Sequence, residues 1–153
     1  MSPTSTPPAG YSGTPLPKKL GLKPSQTVAF VALPDTLAWL ASAEPFAEVD
    51  RARVADELGP SLPHDLVHAF YTRKEDLQVG LSCLRAAIKP AGMIWISWPK
   101  KAAKVIATDI TEDVVRALAL ERGLVDVKVC AIDDVWSGLK LVIPVALRPT
   151  GAA

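Results

Sequence analysis

The sequence predicts a single α/β domain, with a mostly parallel sheet, helices on both of its faces and an antiparallel pair at its C-terminal edge. Three observations carry this. Short, nearly all-apolar runs at Thr27 to Leu33, Leu66 to Tyr71 and Met93 to Trp98 read as strands covered on both faces. Segments with helical spacing stand between them, and strands that alternate with helices imply right-handed parallel crossovers. The last two apolar runs, Val125 to Ile132 and Leu139 to Ala146, have no helix between them, only Asp133 to Gly138, which is long for a tight hairpin, and so imply antiparallel pairing.

Each element has a local reason. Residues 1 to 10 are small, polar and proline-rich and are expected to form a flexible tail, because they offer little burial to offset chain entropy. The ordered domain is expected over residues 11 to 147, and residues 148 to 153 should fray. Lys18 to Leu22 can make one helical turn before Lys23-Pro24, since the residue before proline is pushed out of helix. After the strand Thr27 to Leu33, Leu37, Leu40 and Ala41 recur at helical spacing and give a short helix ending near Ser42 to Pro45.

Phe46 to Leu62 is ambiguous, and a short strand near Val49 is favoured over a helix at Arg51 to Leu58. The strand Leu66 to Tyr71 is followed by a helix from Arg73 to Ile88, with Thr72-Arg73-Lys74-Glu75 as a capping box and Leu77, Leu81, Leu84 and Ile88 as its apolar stripe. Asp109-Ile110-Thr111-Glu112 is a second capping box that opens a helix from Ile110 to Arg122, with Asp109 as cap and Gly123 as the residue just past its end. Pro144 lacks an N–H for a ladder, which places the last strand at the sheet edge.

Composition excludes several classes. The chain has 153 residues, 49% hydrophobic and 22% charged, which suits one well-cored domain. Seventeen basic and sixteen acidic residues leave a net charge of +1, which argues against a nucleic-acid or membrane-surface protein while leaving room for a local basic patch. No signal peptide is recognisable, and no apolar run approaches the ~20 residues of a membrane-spanning helix. Cys83 and Cys130 lie in largely apolar segments, as buried thiols of a reducing compartment do, so a cytoplasmic location is expected.

From Leu66 onward the order of elements resembles the second half of class I methyltransferases: strand, helix, a Lys89-Pro90-Ala91-Gly92 turn, strand, helix and antiparallel pair. A three-layer Rossmann-like fold is what this resemblance implies. The chain also resembles a family of short uncharacterised bacterial proteins, the DUF3052 domain family. The residues that carry that likeness are Tyr11 to Leu16 with Lys18-Lys19-Leu20-Gly21, Trp98-Pro99-Lys100-Lys101, Thr108 to Arg116, Gly123 to Asp126 and Trp136-Ser137-Gly138-Leu139-Lys140. That family implies no established activity.

A methyltransferase of this fold is expected to carry glycines after its first strand, so that backbone can approach the cofactor, and an acidic residue near the end of its second. The turn here is Val31-Ala32-Leu33-Pro34-Asp35, without glycine, and the acidic residue has no clear counterpart. The sequence therefore implies no cofactor. His64 and His68 lack the partners of a zinc site, and neither the serines nor the cysteines have a recognisable activating base, so no metal and no catalytic residue is assigned.

The candidate site is instead the loop after Met93 to Trp98, because ligands in open α/β sheets collect beyond the carboxyl ends of parallel strands. Trp98 could stack on a ligand, Lys100, Lys101 and Lys104 could hold an anion, Thr108 and Asp109 start the next helix, and Trp136 with Ser137 could line the same pocket. The function expected from this is a non-catalytic α/β domain that binds a small anionic ligand or a protein partner. The alternatives are a divergent methyltransferase-like enzyme and a homo-oligomeric structural protein that pairs through its sheet edge or its Tyr11 to Leu16 arm.

Overall fold

The structure is a computed structural model that describes residues 14–58 and 63–148. The expected tail, the first part of the Tyr11 to Leu16 arm and the C-terminal residues after Arg148 lie outside the described residues. Six strands form one sheet in the order β2-β1-β3-β4-β6-β5, with β1 Thr27–Val31, β2 Glu48–Ala52, β3 His64–Phe70, β4 Ile88–Pro99, β5 Val125–Ala131 and β6 Trp136–Val142. The first four strands run parallel, and β6 and β5 add antiparallel. The α/β fold class expected from the sequence is the observed one.

Helix α2 (Lys74–Ala86) and helix α3 (Glu112–Glu121) cover one face, and helix α1 (Leu16–Leu20) with the 3₁₀ helix Asp35–Ser42 covers the other. Strand alternation assigns each residue to a layer. Ala29, Val67, Ile94, Ile96 and Leu139 pack with Leu77, Leu81 and Leu118 of α2 and α3. Phe30, Leu66 and Trp95 pack with Leu16, Leu20, Leu37 and Leu40. The Trp95 indole Nε1 donates to the Leu20 carbonyl at 2.8 Å, which fixes α1 on β4.

Helix α1 lies slightly earlier than the spacing suggests. Pro17 suits its first turn, and Gly21, at φ +82°, closes it with N–H groups of Gly21 and Leu22 returning to the Lys18 and Pro17 carbonyls. Phe46 to Leu62 does contain the short strand near Val49, which is β2, followed by the 3₁₀ turn Ala55–Glu57. The Lys89 to Gly92 segment is not a free turn. It is the irregular start of β4, where the register against β3 shifts between His64 and Leu66. Gly92 is required because a Cβ there would stand 2.9 Å from the His64 carbonyl.

Both capping boxes work differently from expectation. Arg73 is the N-cap of α2 and no side chain of its own segment caps it. The cap comes from elsewhere, because the Lys74 N–H donates to Asp109 Oδ1 at 2.7 Å. Asp109 therefore does not cap α3, whose N-cap is Thr111, accepting from the Val114 N–H at 3.2 Å.

The C-terminal pair also differs. Asp133 accepts from the N–H groups of Val135 and Trp136 at 2.8 and 2.7 Å, which tightens the expected long loop into a hairpin turn. Strand β6 therefore begins at Trp136 and lies between β4 and β5, so the edge is β5 and Pro144 falls beyond the ladder. Cys130 is buried as expected, whereas Cys83 is partly exposed and donates its thiol to Asp56 at 3.1 Å. Among the described residues, no helix is long and apolar enough to cross a membrane.

Candidate functional site

The chain passes from β1 to β2 on one side, then returns to β3 on the other side of β1. This is a topological switch, and the carboxyl ends of β1 and β3 diverge there to leave a crevice. A cavity of about 520 Å³ occupies that place, within the range of small-molecule sites. A second cavity of about 300 Å³ adjoins it, and the two share Ala32 and Arg53.

Ala32 follows β1 directly. Its backbone is left-handed, at φ +56°, and its N–H donates to the Ala52 carbonyl at 2.8 Å. That conformation is one glycine adopts freely and alanine adopts at a cost of ~1–2 kcal/mol. The expected glycine is absent, but the turn it would serve is present.

At the end of β3 stand Phe70, Tyr71 and Thr72. The Phe70 ring meets Trp136 edge-on at 5.2 Å and stacks on His68 at 4.3 Å, which forms an aromatic wall. Tyr71 turns its hydroxyl against Gly80 of α2, where no Cβ could fit, and that oxygen has no hydrogen-bond partner within the protein. Burial, reinforced by Cys83, Asp76 and Asp56, pushes the phenol well above its ordinary range, so it stays a protonated donor.

Asp56, Glu75 and Asp76 line the larger cavity, Arg51 and Glu57 line the smaller, and Arg53 borders both. The Arg53 N–H donates to Glu57 Oε1 at 2.7 Å, and this backbone bond holds the Glu57 carboxyl below its usual range. A ligand here meets apolar and aromatic walls with both carboxylate and guanidinium groups among the lining residues.

The residues singled out from the sequence are not gathered at this cleft. Trp98 packs into the core under α2 and α3, and Ser137 lies opposite it in the β4–β6 ladder. Lys100 donates its ammonium to the Asp133 carbonyl at 2.7 Å. Lys101 and Lys104 are exposed on the 3₁₀ turn after β4 and at its end. Thr108 donates to the Thr72 carbonyl at 2.7 Å and, with Asp109, ties this loop to the start of α2. Of these eight, Trp136 lines the larger cavity.

The cleft residues that sequence reading passed over are Ala32, Arg53, Asp56, Tyr71 and Gly80. The rule that ligands gather beyond parallel strands applied equally to the ends of β1 and β3, and it could have found Tyr71 and Ala32. Nothing in the sequence marks Ala32 as left-handed or Gly80 as a notch for a tyrosine.

No family model matches the chain, and no curated protein sequence matches it. Solved structures do. A SAM-dependent methyltransferase from Aquifex aeolicus is 20% identical, with a TM-score of 0.60 over 82% of this chain and 86% of that one. Magnesium protoporphyrin IX methyltransferase from Synechocystis PCC 6803, with SAH bound, is 14% identical, with a TM-score of 0.55 over 78% and 74% of the two chains. A sarcosine dimethylglycine methyltransferase assignment from Galdieria sulphuraria is 11% identical, with a TM-score of 0.57 over 82% and 83%.

These likenesses correct the expectation of a non-catalytic domain that binds an anionic ligand or a protein partner. The solved structures that share this architecture include methyltransferases, two of them with SAH or SAM bound. The chain has the Rossmann-like fold of class I SAM-dependent methyltransferases.

Proposed function

We propose that the protein is a divergent methyltransferase-like enzyme that binds S-adenosylmethionine in the cleft beyond β1 and β3. The observation that carries this is the position of the cleft, which lies at the switch point of a fold shared with methyltransferases that hold SAM or SAH. When bound, the cofactor supplies an electrophilic methyl group on a sulfonium sulfur.

The residues present suit such a ligand. The two adjoining cavities provide room for a nucleoside joined to an amino acid. Ala32 bends the backbone away after β1, as a glycine would, and lets a ligand lie close to the main chain. Phe70 and Trp136 offer ring surface, and Asp56 and Asp76 offer carboxylates to hydroxyl or ammonium donors. Arg51 offers a guanidinium group to a carboxylate, beside Arg53, which is paired with Glu57 at 3.4 Å. The buried Tyr71 hydroxyl can donate one hydrogen bond without ionising.

Membership of the DUF3052-like proteins belongs to the same proposal, with the bacterial origin and cytoplasmic setting it implies. The motif Trp98-Pro99-Lys100-Lys101 closes β4, and Trp136-Ser137-Gly138 opens β6 beside it. Titration calorimetry with S-adenosylhomocysteine tests the reading. Saturable one-to-one binding that weakens about tenfold in Asp56→Ala, equivalent to ~1.4 kcal/mol, is expected. Absence of heat at several temperatures, at protein concentrations well above micromolar, would overturn it.

A further inference from the structure

Away from the cleft, on the face that carries α1, three lysines stand together without a counter-charge among the described residues. Lys128 of β5 and Lys140 of β6 are directly opposite in the antiparallel ladder. Lys140 also lies opposite Trp95, whose indole holds the end of α1, so Lys23, just beyond that end, reaches the same region. Like charges placed opposite one another across strands oppose folding. Among the described residues, no carboxylate lies within ion-pair distance of Lys23, Lys128 or Lys140. The contrast with the other surface charges is sharp, because Arg116 alone engages Glu112, Asp113 and Asp126. Burial and then the ammonium groups of Lys128 and Lys23 disfavour the charged form of Lys140. Cys130, beside them on β5, feels Lys128 and Lys19 from the same side.

We infer that this lysine cluster is a docking surface for the phosphodiester backbone of a nucleic acid. An unneutralised positive patch gains most from a partner with closely repeated negative charge, whose binding releases condensed counterions. The charged groups that act on Lys140 are lysines. Ammonium groups act as point charges that suit phosphate oxygens, whereas paired recognition of carboxylates favours the planar guanidinium fork. The near-zero net charge of the chain does not oppose this, because Asp56, Glu75 and Asp76 line the cleft and Glu112, Asp113 and Glu121 lie on α3, so positive and negative charge are unevenly spread. The inference is independent of cofactor binding.

Fluorescence anisotropy with a labelled, mixed-sequence RNA of about twenty nucleotides tests it, on the full chain in about 50 and about 200 mM salt. The expected result is micromolar binding that weakens with salt along a log–log slope near −2, as about three phosphate contacts give. Lys128→Thr with Lys140→Thr should weaken binding at least tenfold and reduce the slope by about one or more. Lys101→Thr, beyond the carboxyl end of β4, should bind as the parent does. The double variant should melt no lower than the parent, because the cross-strand repulsion is gone. The inference is overturned by absence of binding in low salt, by an unchanged slope in a folded double variant, or by equal binding of poly-glutamate, which would assign the surface to acidic protein segments.

Discussion

Ala32 shows how one residue can hide a site from sequence reading. It holds a left-handed backbone at φ +56° immediately after β1, where a glycine would have signalled the cofactor turn. Ala32→Gly is expected to raise stability by ~1 kcal/mol, or about 2–4 °C in melting temperature, because relief of strain exceeds the added freedom of the unfolded chain. Differential scanning calorimetry checks this. Gly80 works in the opposite sense. Gly80→Ala should destabilise by ~1–3 kcal/mol, since the new methyl would overlap the Tyr71 hydroxyl. Adding Tyr71→Phe should recover part of that loss in urea denaturation, because the overlapping and unpartnered oxygen is removed. Neither role can be read from residue type, since both arise only when distant segments meet.

At the scale of elements, periodicity located the strands and helices well, and the errors fall at their ends. The helix start at Thr72 to Glu75 matched a capping box, yet its donor is satisfied by Asp109 from a segment far along the chain. Local patterns cannot report a tertiary cap. Asp109→Ala should cost ~1 kcal/mol of stability, whereas Thr111→Ala should cost a similar amount through α3 itself. Thr72→Ala should stay within about 0.5 kcal/mol, because its side chain caps nothing. Chemical denaturation of the three variants separates these outcomes. The hairpin between β5 and β6 differs from expectation for a related reason. Asp133 binds two N–H groups and makes a tight turn where composition suggested a loop, and that moved Trp136 from a loop into β6 beside the cleft.

At the scale of the molecule, alternating strands and helices revealed the layers and the antiparallel end, but not the strand order that creates the switch between β1 and β3. The candidate site was therefore placed one strand away from the cavity. Buried chemistry also acts on the whole fold. His68 is fully buried, with one ring nitrogen 2.7 Å from Ser97 Oγ and the other without a partner. Burial pulls its pKa from 6.5 down to about 3. The folded protein keeps His68 neutral while the unfolded chain protonates it, so its stability contribution is complete above about pH 6.5. That contribution falls by up to about 1.4 kcal/mol per unit as pH drops toward 3. Denaturation of the parent and of His68→Leu with Ser97→Ala at pH 7 and pH 5 should show a smaller loss on acidification in the variant. The central claim is that the cleft between β1 and β3, not the lysine loop after β4, receives the nucleoside cofactor. Titration of S-adenosylhomocysteine into isotopically labelled protein, followed by amide NMR, tests it most directly. The account predicts saturable shifts of the Ala32, Tyr71 and Gly80 amides, while saturating ligand that leaves these unmoved, or moves only Lys100 to Lys104, would contradict it.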